Sequence, residues 1–106
     1  MEIRVLTFAG CPNCDQTIRL VQEVAGELGL GTAVRHLQVR NESEAVENHF
    51  HGSPSVQIDG KDIEPDRRGD APSFSCRLYM HEGQRSGVPP KEMIVEAIQE
   101  AQHSPG

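Results

Sequence analysis

The sequence predicts an α/β fold, a three-layer α/β/α sandwich around a central mixed sheet of about four strands. Short segments rich in branched apolar residues alternate with segments whose apolar residues recur every three or four positions. A long helical segment separates the first two strands, as in a right-handed crossover between parallel strands. Asp59-Gly60 is a strong hairpin-turn signal, so a later pair of strands should be antiparallel.

The predicted elements follow the order β-α-β-α-β-β-α. Residues 65–75 carry Pro65, Gly69 and Pro72 and are predicted to form an irregular loop. The predicted strands cover residues 2–8, 32–39 and 54–60, a return strand from Ile63 and a further candidate at 76–80, and the predicted helices cover 12–28, 42–50 and a terminal segment after Pro89-Pro90.

Length and composition indicate one small domain over residues 1–102, followed by a flexible tail at 103–106. The chain is 36% hydrophobic and 25% charged, which is typical of soluble globular proteins. It has neither an apolar run long enough to cross a bilayer nor the features of a secretory signal, so we expect a cytoplasmic protein. We also expect a monomer. The net charge of -6 disfavours nucleic-acid and anionic-membrane partners.

Cys11-Pro12-Asn13-Cys14 places two thiols at the junction of the first strand and the first helix. The free N–H groups and the positive dipole end of a helix start stabilise an anion such as a thiolate. We predict that Cys11, at the cap and more exposed, is the attacking thiolate. Cys14, one turn inside the helix, should then resolve the mixed disulfide by attacking Cys11.

A structural zinc site is the first alternative for this pair, but it usually needs four ligands from two short-spaced pairs. The sequence has no second CxxC and no downstream histidine pair of suitable spacing. A close cysteine pair in a cytosolic protein is more often catalytic or metal-binding than structural. The dithiol is therefore the candidate catalytic site.

A CxxC after the first strand, followed about forty residues later by Ser53-Pro54, a strand and Asp59-Gly60, resembles the thioredoxin/glutaredoxin superfamily. The resemblance implies a thioredoxin-like version of the sandwich. It also implies that Pro54 is cis and packs against the dithiol, and that Ser53 offers its backbone to a bound thiol substrate. Pro12 and Asn13 complete the expected substrate-binding residues. The alternative is that Pro54 is an ordinary proline opening a strand.

The chain departs from the superfamily in three ways. No Trp precedes Cys11, the first strand has no inward carboxylate to accept a proton, and the glutathione-binding Gly-Gly-x-Asp type of segment is missing. We therefore expect a small atypical thioredoxin-like protein, without cofactor, rather than a thioredoxin or glutaredoxin proper.

Cys76 and the histidines leave alternatives open. Cys76 is either a buried small residue on a strand, the usual fate of a lone cysteine, or a third thiol near the dithiol. His49 and His51 precede Pro54 and could lie near the site, but no histidine forms a recognisable acid–base pair with Cys11.

The sequence leaves three functions open. The leading one is a thiol–disulfide oxidoreductase that acts on protein or small-molecule disulfides and is reduced again by an unidentified thiol reductant. The second is a binding protein for a soft metal such as mercury or copper, held by Cys11, Cys14 and Cys76. The third is an interaction module of the same fold that keeps its cysteines without catalysis.

Overall fold

The computed structural model describes residues 1–31 and 33–103. Thr32, at the start of the predicted second strand, and residues 104–106 of the predicted tail lie outside the described residues. The helices are α1 (Cys14–Glu27), α2 (Glu42–Glu47) and α3 (Lys91–Gln102). The strands are β1 (Ile3–Thr7), β2 (Val34–Gln38), β3 (His51–Ser53), β4 (Ser55–Ile58), β5 (Lys61–Asp62), β6 (Ser73–Cys76), β7 (Tyr79–His81) and β8 (Gln84–Ser86).

The main sheet has four strands in the order β2-β1-β4-β5. The strand β1 runs parallel to β2 and antiparallel to β4, with Val5 opposite His36 on one side and Val56 on the other. Asp59 and Gly60 form the turn between β4 and β5 with φ of 52° and 81°, a conformation that glycine and aspartate tolerate. The predicted mixed sheet of about four strands is confirmed.

Helices cover this sheet on both faces, because alternate residues of each strand point to opposite sides. On one face, α1 and α3 bury an apolar cluster that includes Val5 and Val56. On the other face, Leu6 packs with Val39, Ala45 of α2 and Phe50. These two clusters make the three layers of the predicted α/β/α sandwich. Within the described residues, no helix is both long enough and apolar enough to span a membrane.

The prediction for residues 65–80 needs correction. Part of the expected loop is the strand β6, which pairs in parallel with β3, and the candidate strand at 76–80 is divided between β6 and β7. All four residues of β6 are exposed, so the apolar pattern that marks a buried strand is absent. Backbone hydrogen bonds define the pairing instead, from Ser73 N to Phe50 O at 2.8 Å and from Arg77 N to Ser53 O at 3.0 Å.

Candidate active site

The dithiol lies where β1 gives way to α1, but its placement relative to the helix differs from the prediction. Cys14 is the first residue of α1 and Asn13 is its N-cap, with the Asn13 carbonyl accepting the Thr17 N–H at 3.1 Å. Cys11 lies before the cap, in a turn where its N–H donates to Phe8 O at 3.3 Å. Placing Cys11 at the cap and Cys14 one turn inside was wrong. The residue before a proline disfavours the helical region, so Pro12 excludes Cys11 from the helix.

The exposure of the motif suits a reactive site at the surface. Cys11 and Cys14 are both free thiols and both partly buried. Pro12 between them is exposed, and Asn13 is partly buried. The unpaired N–H groups of the first turn of α1 therefore lie beside Cys14, the residue that begins the helix.

The Pro54 loop, which is Ser53 and Pro54 at the junction of β3 and β4, is held by three hydrogen bonds. The Ser53–Pro54 peptide bond is cis, as the resemblance implied, and both residues are buried. Ser53 Oγ accepts the Phe8 N–H at 3.2 Å, which ties the loop to the segment leading to Cys11. Ser53 O accepts the Arg77 N–H at 3.0 Å, and Pro54 O accepts the Tyr79 hydroxyl at 2.6 Å. The carbonyl of Ser53 thus already accepts one hydrogen bond from within the chain, and the role of the Ser53 backbone toward a substrate stays a prediction.

A buried ion pair holds the segment that contains Arg77 and Tyr79, the donors of the last two of these hydrogen bonds. Arg77 donates to both carboxylate oxygens of Asp62, at 2.7 and 2.8 Å, and to Glu64 at 3.1 Å. The Arg77 and Asp62 side chains are only 1% and 2% exposed. Burial by itself lowers the pKa of the Arg77 guanidinium, but the hydrogen bonds and charge of Asp62 outweigh it and hold that pKa above its ordinary value. Arg77 therefore stays charged.

Tyr79 connects this ion pair to the Pro54 loop. The Arg77 guanidinium carbon lies 4.2 Å from the centroid of the Tyr79 ring, within the range of a cation–π contact. Burial raises the pKa of the Tyr79 phenol above its ordinary value. The phenol consequently keeps its proton at neutral pH and remains the donor to Pro54 O. No sequence spacing pointed to Asp62, Arg77 or Tyr79.

A histidine lies against the dithiol, which the sequence analysis missed. His36 Nε2 is 3.7 Å from Cys14 Sγ and 2.7 Å from Thr7 Oγ1. In the parallel register His36 is opposite Val5, whose side chain belongs to the α1 face of the sheet. The available signal was the alternation along β2, which puts His36 on the same face as Val34 and therefore near the start of α1.

Residues beyond the main sheet cover parts of the site. Gly87, just after β8, lies so close to the side chain of Asn13 that a Cβ atom at position 87 would overlap the Asn13 amide nitrogen. Phe74 of β6 meets Phe8 edge to face, with ring centroids 5.4 Å apart. Asn13 therefore contacts the chain itself, which limits its freedom to bind a substrate.

Cys76 is exposed, so the interpretation of it as a buried residue was wrong. It pairs in register with Ser53 across β6 and β3. Among residues 1–31 and 33–103, no group of three or more His, Cys, Asp or Glu side chains is arranged to hold a metal ion. The three cysteines are accordingly not assembled as the metal site of the second hypothesis.

His49 and His51 lie elsewhere, in the wall of a cavity of about 450 Å³. The residues that line this cavity with them are Gln57, Gly60, Lys61, Asp62 and Arg68. Neither cysteine of the dithiol lines this cavity, and among the described residues the hydrogen bond to the dithiol comes from His36 rather than from these two histidines.

Comparisons with known proteins agree with this geometry. The family model described as a thioredoxin domain matches residues 1–63. A protein named thioredoxin from Methanocaldococcus jannaschii is 29% identical over 99 residues, covering 92% of each chain. No solved structure matches the chain significantly. The family match contains the dithiol, His36 and Pro54, and it ends before Cys76, Arg77, Tyr79 and Gly87.

Proposed function

The chain belongs to the thioredoxin domain family, and we propose that it is a thiol–disulfide oxidoreductase that cycles Cys11 and Cys14 between a dithiol and a disulfide. One observation carries the proposal: two free thiols in the turn into α1, with the buried Pro54 loop bonded to the Phe8 N–H just before them. The similarity to a protein named thioredoxin supports the same class of reaction.

In the proposed cycle, the thiolate of Cys11 attacks a substrate disulfide and releases one substrate thiol. Cys14 then attacks Cys11 Sγ in the mixed disulfide and releases the second. Cys11 takes the first role because it precedes the helix, next to the exposed Pro12, whereas Cys14 is fixed as the first residue of α1. The new Cys11–Cys14 disulfide is returned to the dithiol by an external thiol reductant.

Protein or small-molecule disulfides are the proposed substrates. Exposed Pro12 and partly buried Asn13, whose amide also contacts Gly87, are proposed to contact them beside the buried Pro54 loop. Ser53 contributes to this contact through its position before Pro54, since its carbonyl and hydroxyl are engaged with Arg77 and Phe8. The reaction needs no cofactor, because both electrons pass between sulfur atoms.

A redox titration tests the proposal. In a Cys76→Ser parent, Cys11 and Cys14 should form one two-electron couple with a potential between about -270 and -200 mV, the range of thioredoxins and glutaredoxins. The fraction oxidised is read by alkylation and mass spectrometry after equilibration with thiol–disulfide buffers. Failure of the pair to form an intramolecular disulfide in any buffer would count against the proposal.

A further inference from the structure

The contact between Cys14 and His36 joins two different elements, the start of α1 and the edge strand β2. His36 lies on β2, the edge strand of the main sheet, and as a whole residue it is exposed. Its ring nevertheless points back across the end of β1, where Nε2 reaches both Thr7 Oγ1 at 2.7 Å and Cys14 Sγ at 3.7 Å. The second distance is within hydrogen-bonding range for sulfur, so one nitrogen faces the thiol of the resolving cysteine.

We propose that His36 is a catalytic residue that accepts the proton of the Cys14 thiol when Cys14 attacks the mixed disulfide on Cys11. The proposal rests on the proposed function and extends it to the resolving step. A thiol must lose its proton to become a nucleophile, and an imidazole nitrogen is a suitable acceptor at neutral pH. Along β1 no carboxylate is available for this task, since its residues are Ile3-Arg4-Val5-Leu6-Thr7.

The resolving step balances with the groups present. The Cys14 S–H bond breaks and its proton moves to His36 Nε2. The Cys14 sulfur then forms a bond with Cys11 Sγ, while the bond between Cys11 Sγ and the substrate sulfur breaks and its electron pair leaves with the substrate. The proton passes from His36 to the departing thiolate or to solvent. Cys11 and Cys14 end as a disulfide, and the substrate fragment ends as a thiol.

Thr7 is the positioning residue of this arrangement. Thr7 is only 2% exposed, so its hydroxyl is held in place beside the imidazole ring of His36. A neutral Nε2 has one lone pair, so at the moment of transfer it accepts the Cys14 proton rather than the Thr7 hydroxyl proton. Once protonated, Nε2–H donates to Thr7 Oγ1, which therefore stabilises the charged ring that the transfer produces.

A two-phase thiol-release experiment separates the two chemical steps. The reduced Cys76→Ser parent is mixed with one equivalent of dithiobis-nitrobenzoate in a stopped-flow spectrometer, so that little reagent remains to react directly with Cys14. Attack by Cys11 releases a first coloured thiol, and resolution by Cys14 releases a second. We expect His36→Gln to leave the first phase within about twofold and to slow the second about a hundredfold, the lower end of the range for losing a general base.

Three variants serve as controls. His103→Gln changes an exposed histidine at the end of α3 and should leave both phases unchanged. Thr7→Val should slow the second phase selectively, and Thr7→Ser, which keeps the hydroxyl, should restore it. Circular dichroism confirms that each variant is folded.

Unchanged second-phase rates in folded His36→Gln would overturn the role of His36, and so would an equal slowing of both phases. The proposed function fails separately if the parent forms no Cys11–Cys14 disulfide and therefore releases no second thiol. A selective loss in His36→Gln and Thr7→Val, with rescue by Thr7→Ser, supports the proposal.

Discussion

Arg77→Met should lower the free energy of unfolding by about 3–5 kcal/mol, because it leaves the Asp62 carboxylate buried without its partner. The two side chains form a bidentate pair and are almost fully shielded from water. A small domain is stable by only about 5–15 kcal/mol in total, so this variant should be close to unfolding at ambient temperature. Urea unfolding followed by circular dichroism measures the change.

Two further variants identify the cause. Arg85→Met removes the same kind of side chain from an exposed position on β8 and should change the free energy of unfolding by less than about 0.5 kcal/mol. Adding Asp62→Leu to Arg77→Met removes the unpaired charge and should recover part of the loss. A loss in Arg77→Met no larger than in Arg85→Met would show that the buried pair does not hold this segment.

Cys11→Ser should reduce catalysed disulfide reduction by about a thousandfold or more, to the background rate of the reductant. A serine hydroxyl is not ionised at neutral pH and cannot replace the attacking thiolate. The fold should be preserved, because the backbone N–H of Cys11, which donates to Phe8 O, is kept in the variant. Dithiothreitol-driven reduction of insulin provides the rate.

Cys76→Ser is the matched control for this assay, since it removes an exposed thiol outside the dithiol motif and should retain the rate of the unsubstituted chain. Retention of activity within tenfold by folded Cys11→Ser would mean that another thiol performs the attack.

The sequence was sufficient for the elements whose patterns are local. The apolar stripe of α1, the alternation of β1 and the Asp59-Gly60 turn each arise from residues close together in the chain. Together with the rule for crossover connections, they predict the mixed sheet and its helical layers. The exact start of α1 was harder to predict from the sequence. Pro12 suits the first turn of a helix, but it also disfavours the helical conformation in the residue before it.

The parts of the site that were missed depend on contacts distant in sequence. His36 and Cys14 meet only because β2 pairs with β1 in one particular register. Arg77 reaches Asp62 across the turn-rich segment 63–76, and charged residues in such a segment are ordinarily solvated. Cys76 is exposed because β6 joins β3 through backbone bonds, without burying the side chains of its own residues.

Trapping the mixed disulfide is the most direct test of the central claim that Cys11 attacks and Cys14 resolves. Reduced Cys14→Ser protein, with Cys76 intact, is incubated with a small-molecule disulfide, and the adduct is located by peptide mass spectrometry. The proposed mechanism predicts a stable adduct of one substrate thiol on Cys11, whereas the unsubstituted chain should pass through it to the Cys11–Cys14 disulfide. An adduct found on Cys76 instead of Cys11, or no adduct on Cys11, would contradict it.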